Sequence, residues 1–81
     1  MEEIIKSKLD RIFPRATITI KQEFGTMKIY IELENYFVHE SIINIINKSP
    51  TIIVQQAAND FIEHLNKFII NEKAYIDILE N

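Results

Sequence analysis

Residues 49–79 read SPTIIVQQAANDFIEHLNKFIINEKAYIDIL, and this stretch decides the fold. Its apolar residues recur at alternating steps of four and three, broken only at Glu72, which is the spacing of one helix face. They are Val54, Ala58, Phe61, Leu65, Phe68, Tyr75 and Leu79. A second row, Ile62, Ile69 and Ile76, widens the apolar stripe. We therefore predict a long helix that faces a core rather than one thin partner helix.

Two sequence signals mark the start of this helix. Its first turn and its C-terminal part can each be interpreted in two ways. Ser49 can cap free N–H groups, and Pro50 suits the first helical position. Residues 51–54 are Thr-Ile-Ile-Val, which also suits a short buried strand, although we favour helix. At the other end, Asn71 either starts a separate last helix or lies within a continuous one.

The N-terminal third predicts a helix followed by a strand. Residues 2–13 place apolar side chains at helical spacing, and Pro14 should end that helix. From Ala16 to Phe24 the apolar residues alternate with polar ones, which indicates a half-buried strand.

A hairpin should join this strand to a second alternating run, Met27 to Leu33. Gly25 and Thr26 fit a two-residue type II′ turn, with Gly25 at the position that needs a positive φ. The register that follows places Phe24 opposite Met27 on the inner face and Glu23 opposite Lys28 on the outer face.

Residues 35–38 fit either a third short strand or a turn, and residues 39–47 resume a helical pattern rich in isoleucine. We therefore predict an α+β domain in the order αββαα, an antiparallel hairpin packed on one face by helices. The alternative order is αββαβα, with a strand at 51–54.

The amino-acid composition limits the classes of protein to which the chain can belong. Eighty-one residues with no Gly/Ser-rich linker predict a single domain over residues 1–81. The chain is 47% hydrophobic and 26% charged, which is typical of a globular domain. It has no cysteine, no apolar run of about 20 residues, and acidic residues at the N-terminus where a signal peptide would carry basic ones. We expect a cytoplasmic protein.

Catalytic and cofactor chemistry find little support in the sequence. The one glycine is needed for the hairpin, so the chain has no phosphate-cradling loop. Asp60, Glu63 and His64 would place two carboxylates and an imidazole on one helix, but they also fit ordinary surface pairs. We therefore expect no enzymatic activity, no metal and no small cofactor.

The charge is uneven along the chain. Residues 1–31 carry six basic side chains against four acidic ones, a net +2, whereas residues 32–81 carry three against eight, a net −5. Nucleic-acid binding is the alternative function that we consider, and it would use the first helix and the open sheet face. The candidate residues are Lys8, Arg11, Arg15, Lys21, Lys28 and Tyr30.

The function that we favour is a non-catalytic protein-binding module, a small acidic inhibitor or regulator of a phage or plasmid type. Residues 32–40 mix acids with aromatics, which suits docking on a partner protein's basic site. The candidate partner-binding residues are Glu32, Glu34, Tyr36 and Glu40. The alternative is that Phe37 and Tyr36 are core residues and the acids only keep the chain soluble.

The long helix also predicts a homodimer. A two-stranded hairpin offers too little apolar surface to cover both rows of that helix. A symmetric partner would bury the rest, helix against helix or sheet edge against sheet edge. The candidate interface residues are Phe61, Leu65, Phe68 and Tyr75.

Overall fold

The computed structural model describes residues 1–34 and 37–80, with the side chains of residues 1–34 and 37–69. Five elements follow one another along the chain: α1 (Glu2–Ile12), β1 (Ala16–Glu23), β2 (Thr26–Leu33), β3 (Phe37–Asn44) and α2 (Pro50–Glu80). The strands form one antiparallel sheet in the order β1-β2-β3. The predicted α+β class is confirmed.

Residues 37–44 form strand β3, so the predicted helix over residues 39–47 is wrong. Both predicted element orders are therefore wrong, and the observed order is αβββα. Phe37, His39, Ser41 and Ile43 turn toward the core, while the residues between them are more exposed. Two of these four inward side chains are polar, and this hides the alternation of apolar residues that identifies a strand.

The β1–β2 hairpin is also shifted relative to its predicted register. Glu23 pairs with Thr26, so the turn residues are Phe24 and Gly25, and Gly25 has φ +69°. A type II′ turn has its positive φ at the first turn residue, whereas here it falls at the second. The Gly25 carbonyl also accepts a hydrogen bond from the Ile45 N–H at 3.0 Å, so the chain beyond β3 contacts the turn directly.

The shift moves each residue's partner by two positions and therefore keeps most side chains on their predicted faces. Ile18 pairs with Ile31, and both are buried. Phe24 is the exception, because it lies in the turn and is fully exposed instead of facing Met27. Lys28 pairs with Lys21 rather than with Glu23, so the predicted opposite-charge pair is replaced by two like charges.

The core lies between one face of the sheet and the two helices. Ile5 and Leu9 of α1 are buried, as are most of the inward residues of the sheet and one side of the first half of α2. The buried apolar set is Ile5, Leu9, Ile18, Met27, Ile29, Ile31, Ile43, Ile53, Val54, Ala57, Ala58 and Phe61. Since both helices cover the same face, the other face of the sheet is open.

Both helices begin or end where the sequence predicts. Helix α1 ends at Ile12, and the next residue, Phe13, donates its N–H to the Leu9 carbonyl just before Pro14. Helix α2 begins at Pro50, and the Ile52 N–H donates to Ser49 Oγ at 3.4 Å. Residues 51–54 therefore belong to the helix, as favoured, and not to a strand.

Helix α2 is one element that continues through Asn71 to Glu80. Its 31 residues correspond to about 46 Å, whereas a strand of eight residues spans about 27 Å. The C-terminal part of α2 therefore extends beyond the sheet, and the molecule measures 51 × 21 × 18 Å. Within the residues that the structure describes, no helix is long and apolar enough to cross a membrane.

Candidate functional site

The open face of the sheet is the first candidate site. It consists of the outward side chains of the three strands, on the side that neither helix covers. Its members are Thr17, Thr19, Lys21, Glu23, Lys28, Tyr30, Glu32, Val38, Glu40 and Ile42. Because these side chains stand on paired strands, their relative positions are set by the sheet before any partner arrives.

One end of the open face is acidic and apolar. Glu32 pairs with Val38 across β2 and β3, and Glu40 follows two residues later, so the two carboxylates are diagonal neighbours. Val38 is 59% exposed at this end, whereas Ile42, which is 62% exposed, lies farther along the face and opposite Lys28. Glu34 is exposed just beyond the end of β2. The fold thus gathers three of the four predicted partner-binding residues at one end.

The structure describes only one of the two aromatic residues that were considered in this region. Tyr36, the fourth predicted partner-binding residue, lies outside the described residues. Phe37 turns inward, where its ring centroid is 5.7 Å from that of Phe61. The alternative interpretation of Phe37 as a core residue is therefore the correct one. Val38 and Ile42 were not predicted, because their outward direction follows only from residues 37–44 being a strand.

The basic residues of the nucleic-acid hypothesis divide between two sides of the molecule. Lys21 and Lys28 are paired on the open face, with Lys21 Nζ 5.8 Å from the centroid of the Tyr30 ring. Lys8 lies on α1 in the helical layer, where its Nζ donates to Thr51 Oγ1 at 3.3 Å. Arg11, on the same helix, is exposed.

A second candidate site lies between β3 and α2. His39 and Ser41 face inward from β3, and Asp60 and His64 lie one turn apart on α2; we call these four residues the histidine cluster. The two imidazole rings are stacked, with centroids 4.3 Å apart and planes inclined by 30°. His39 is 9% exposed and Ser41 is 2% exposed.

The hydrogen bonds of the histidine cluster determine which ring nitrogens carry a proton. A carboxylate and a carbonyl oxygen only accept, so Ser41 Oγ donates to Asp60 Oδ2 at 3.4 Å and His64 Nδ1–H donates to the Asp60 carbonyl at 2.8 Å. The Ser41 hydroxyl has one proton, which leaves its oxygen to accept from His39 Nε2–H at 3.0 Å. Each imidazole therefore satisfies these bonds while it is neutral.

Burial lowers the pKa of His39 below its usual value, and the neighbouring His64 lowers it further. Asp60 and Glu40 oppose this effect, because a negative charge favours the imidazolium, but the pKa remains lowered. His39 is accordingly held in its neutral form.

The cluster differs from a nucleophilic triad in its connections. In a triad the carboxylate holds the histidine that activates the serine, whereas here Asp60 accepts from the serine itself. Ser41 is also enclosed, so a substrate could not reach its hydroxyl. Among the side chains described, no group of three or more His, Cys, Asp and Glu residues is arranged to hold a metal ion.

Sequence reasoning singled out Asp60, Glu63 and His64 but missed His39 and Ser41. Glu63 points away from the cluster and pairs with Lys67 at 3.4 Å, with both side chains exposed. The inward direction of the other two follows only from residues 37–44 being a strand, which the sequence pattern did not predict. A polar residue at an inward position has to be matched by a partner elsewhere, and that partner is Asp60.

The predicted dimer residues lie mainly against the core of their own chain. Phe61 is 1% exposed and contacts Phe13, with ring centroids 4.8 Å apart. Leu65 packs against the same core, and the ring centroid of Phe68 is 5.1 Å from that of Phe37. The side chain of Tyr75 lies outside the described residues. The homodimer itself stays a prediction.

Comparison of the chain with protein-family models, with curated proteins and with solved structures found no match.

Proposed function

We propose that this chain is a non-catalytic protein-binding module whose open face docks on a basic site of a partner protein. The observation that carries the proposal is the acidic end of that face, where Glu32 and Glu40 are diagonal neighbours beside exposed Val38. Such a module would be a small inhibitor or regulator of the kind that phages or plasmids encode. It would act in the cytoplasm by occupying the partner's site.

The two kinds of side chain on this face would contribute differently. Glu32, Glu34 and Glu40 supply negative charge that attracts a basic surface and speeds association. Val38 supplies apolar area that becomes buried, at about 25 cal/mol per Å² removed from water. Lys21 and Lys28, farther along the same face, would repel a basic surface and so orient the partner toward the acidic end.

The experiment compares two charge-reversed forms of the chain as affinity baits in a lysate of the source cell. In the test form Glu32 and Glu40 are changed to lysine. In the control form Glu3 and Glu63, which are exposed on the helices, are changed to lysine, so that both forms gain the same net charge. Proteins captured by the wild-type chain are identified by mass spectrometry and then purified.

We expect the control form to bind the purified partner with the wild-type Kd and the test form to bind at least about tenfold more weakly, which is about 1.4 kcal/mol. The wild-type Kd should rise with added salt, because exposed charges are screened. Circular dichroism checks that each form is folded. Equal binding by both charge-reversed forms would refute the proposal, and so would a partner whose affinity is unaffected by salt.

A further inference from the structure

The histidine cluster joins two elements that are far apart in sequence. We propose that it is a pH-sensitive latch, which holds the middle of α2 on β3 while both imidazoles are neutral and releases it when they bind protons. This inference concerns the packing of α2 and is independent of what the open face binds.

The stacked geometry makes the latch sensitive to charge. With one N–H of each ring already committed, the second proton would bind at Nδ1 of His39 and at Nε2 of His64. Two imidazolium rings with centroids 4.3 Å apart would then repel each other. Since His39 is nearly buried, its positive charge would be poorly hydrated until the two elements separated.

Two carboxylates lie near His39, but it also faces a second imidazole. From α2 it faces His64 and the carboxylate of Asp60, and on its own strand it adjoins Glu40. Its neighbour on β2 is Ile31, which is apolar and fully buried. Asp60 acts on the ring through the Ser41 hydroxyl, across a hydrogen bond of 3.4 Å.

The direction of the pH effect follows from the lowered pKa of His39. The unfolded chain takes up this proton more readily than the folded chain, so the stabilising contribution is complete above the unfolded pKa of about 6.5. It declines as the pH falls through that value toward the lower folded pKa. The chain contains only two histidines, and both belong to the histidine cluster.

Site-resolved hydrogen exchange of the full chain tests the latch at about pH 7.5 and about pH 5.5, after correction for the intrinsic exchange rate. We expect amide protection in β3 and in the middle of α2 to fall at the lower pH, because the folded chain disfavours the imidazolium form of His39. Protection in the β1–β2 hairpin should change much less.

His64→Gln is the decisive variant, because His64 is exposed and its replacement should leave the fold intact. It removes one of the two charges, so part of the acid-dependent loss of protection should disappear, while the part that comes from the burial of His39 should remain. The NMR titration of His39 should also move to higher pH, since a positive neighbour has been removed. Asn66→Gln, an exposed neutral change on the same helix, is the matched control and should behave as the wild type.

Three results would overturn the proposal. The first is protection in β3 and α2 that does not change between the two pH values. The second is a loss of equal size in every element, which would mean global acid unfolding rather than a local latch. The third is a His64→Gln chain that loses as much protection at low pH as the wild type does.

Discussion

Replacing Phe61 by alanine should destabilise the fold by about 3–5 kcal/mol, the usual cost of removing a buried phenylalanine. The ring is 1% exposed and lies between the α1 end of the core and the start of β3, with centroids 4.8 Å from Phe13 and 5.7 Å from Phe37. It also faces His39 at 6.4 Å. Its removal would therefore leave a cavity where three elements meet.

This loss is large relative to the whole domain. A chain of 81 residues has a free energy of unfolding of about 4–12 kcal/mol at 0.05–0.15 kcal/mol per residue. We therefore expect the melting temperature to fall by more than about 10 °C, at roughly 4–8 °C per kcal/mol. Urea unfolding followed by circular dichroism measures the difference in free energy. If Phe61→Ala does not fold at all, Phe61→Leu should show a smaller loss in the same direction.

Ile62→Ala is the matched control, because Ile62 is the next residue on α2 and is 44% exposed. It should cost about 1 kcal/mol or less. The urea midpoint of the Phe61→Ala chain should depend on protein concentration to the same extent as that of the wild type, since the ring packs within its own chain. A midpoint that rises with concentration in the wild type and loses this dependence in Phe61→Ala would place the ring in the predicted dimer interface. Equal costs for the two variants would also refute the reasoning.

Three further predictions concern the turn, the basic end of the open face and the oligomeric state. Gly25→Val should cost at least about 1–2 kcal/mol in urea unfolding, because Gly25 has φ +69° and an added Cβ would lie 3.1 Å from Ile46 Cδ1, whereas Thr26→Ser should change little. Nucleic-acid binding, the alternative function, predicts a gel shift below micromolar concentration at about 150 mM salt that is lost when Lys21 and Lys28 are changed to glutamate; we expect only weak, salt-sensitive binding. The predicted homodimer should give about twice 9.6 kDa by light scattering, and Ile69→Asp, at a residue 51% exposed on α2, should dissociate it; a mass of 9.6 kDa for the wild type at tens of micromolar would contradict it.

The sequence was sufficient wherever the deciding interaction is local. Pro14 ends α1, Ser49 and Pro50 begin α2, and the alternation along β1 and β2 identifies the side chains that face the core. Each of these signals acts within a few residues of the chain. The acidic residues proposed for partner binding could also be identified from the sequence. The sheet face that brings Glu32 and Glu40 together could not.

Only the tertiary structure decided the hairpin register and strand β3. The sequence predicted a turn at Gly25 and Thr26, but the Gly25 carbonyl accepts from the Ile45 N–H, which lies 20 residues farther along the chain. Strand β3 was hidden because His39 and Ser41 occupy inward positions that a strand pattern expects to be apolar. A buried polar group is stable only when its hydrogen bonds are satisfied, and here Asp60 of α2 does this for Ser41. Such compensation depends on which elements meet in space, and no periodicity along the chain records it.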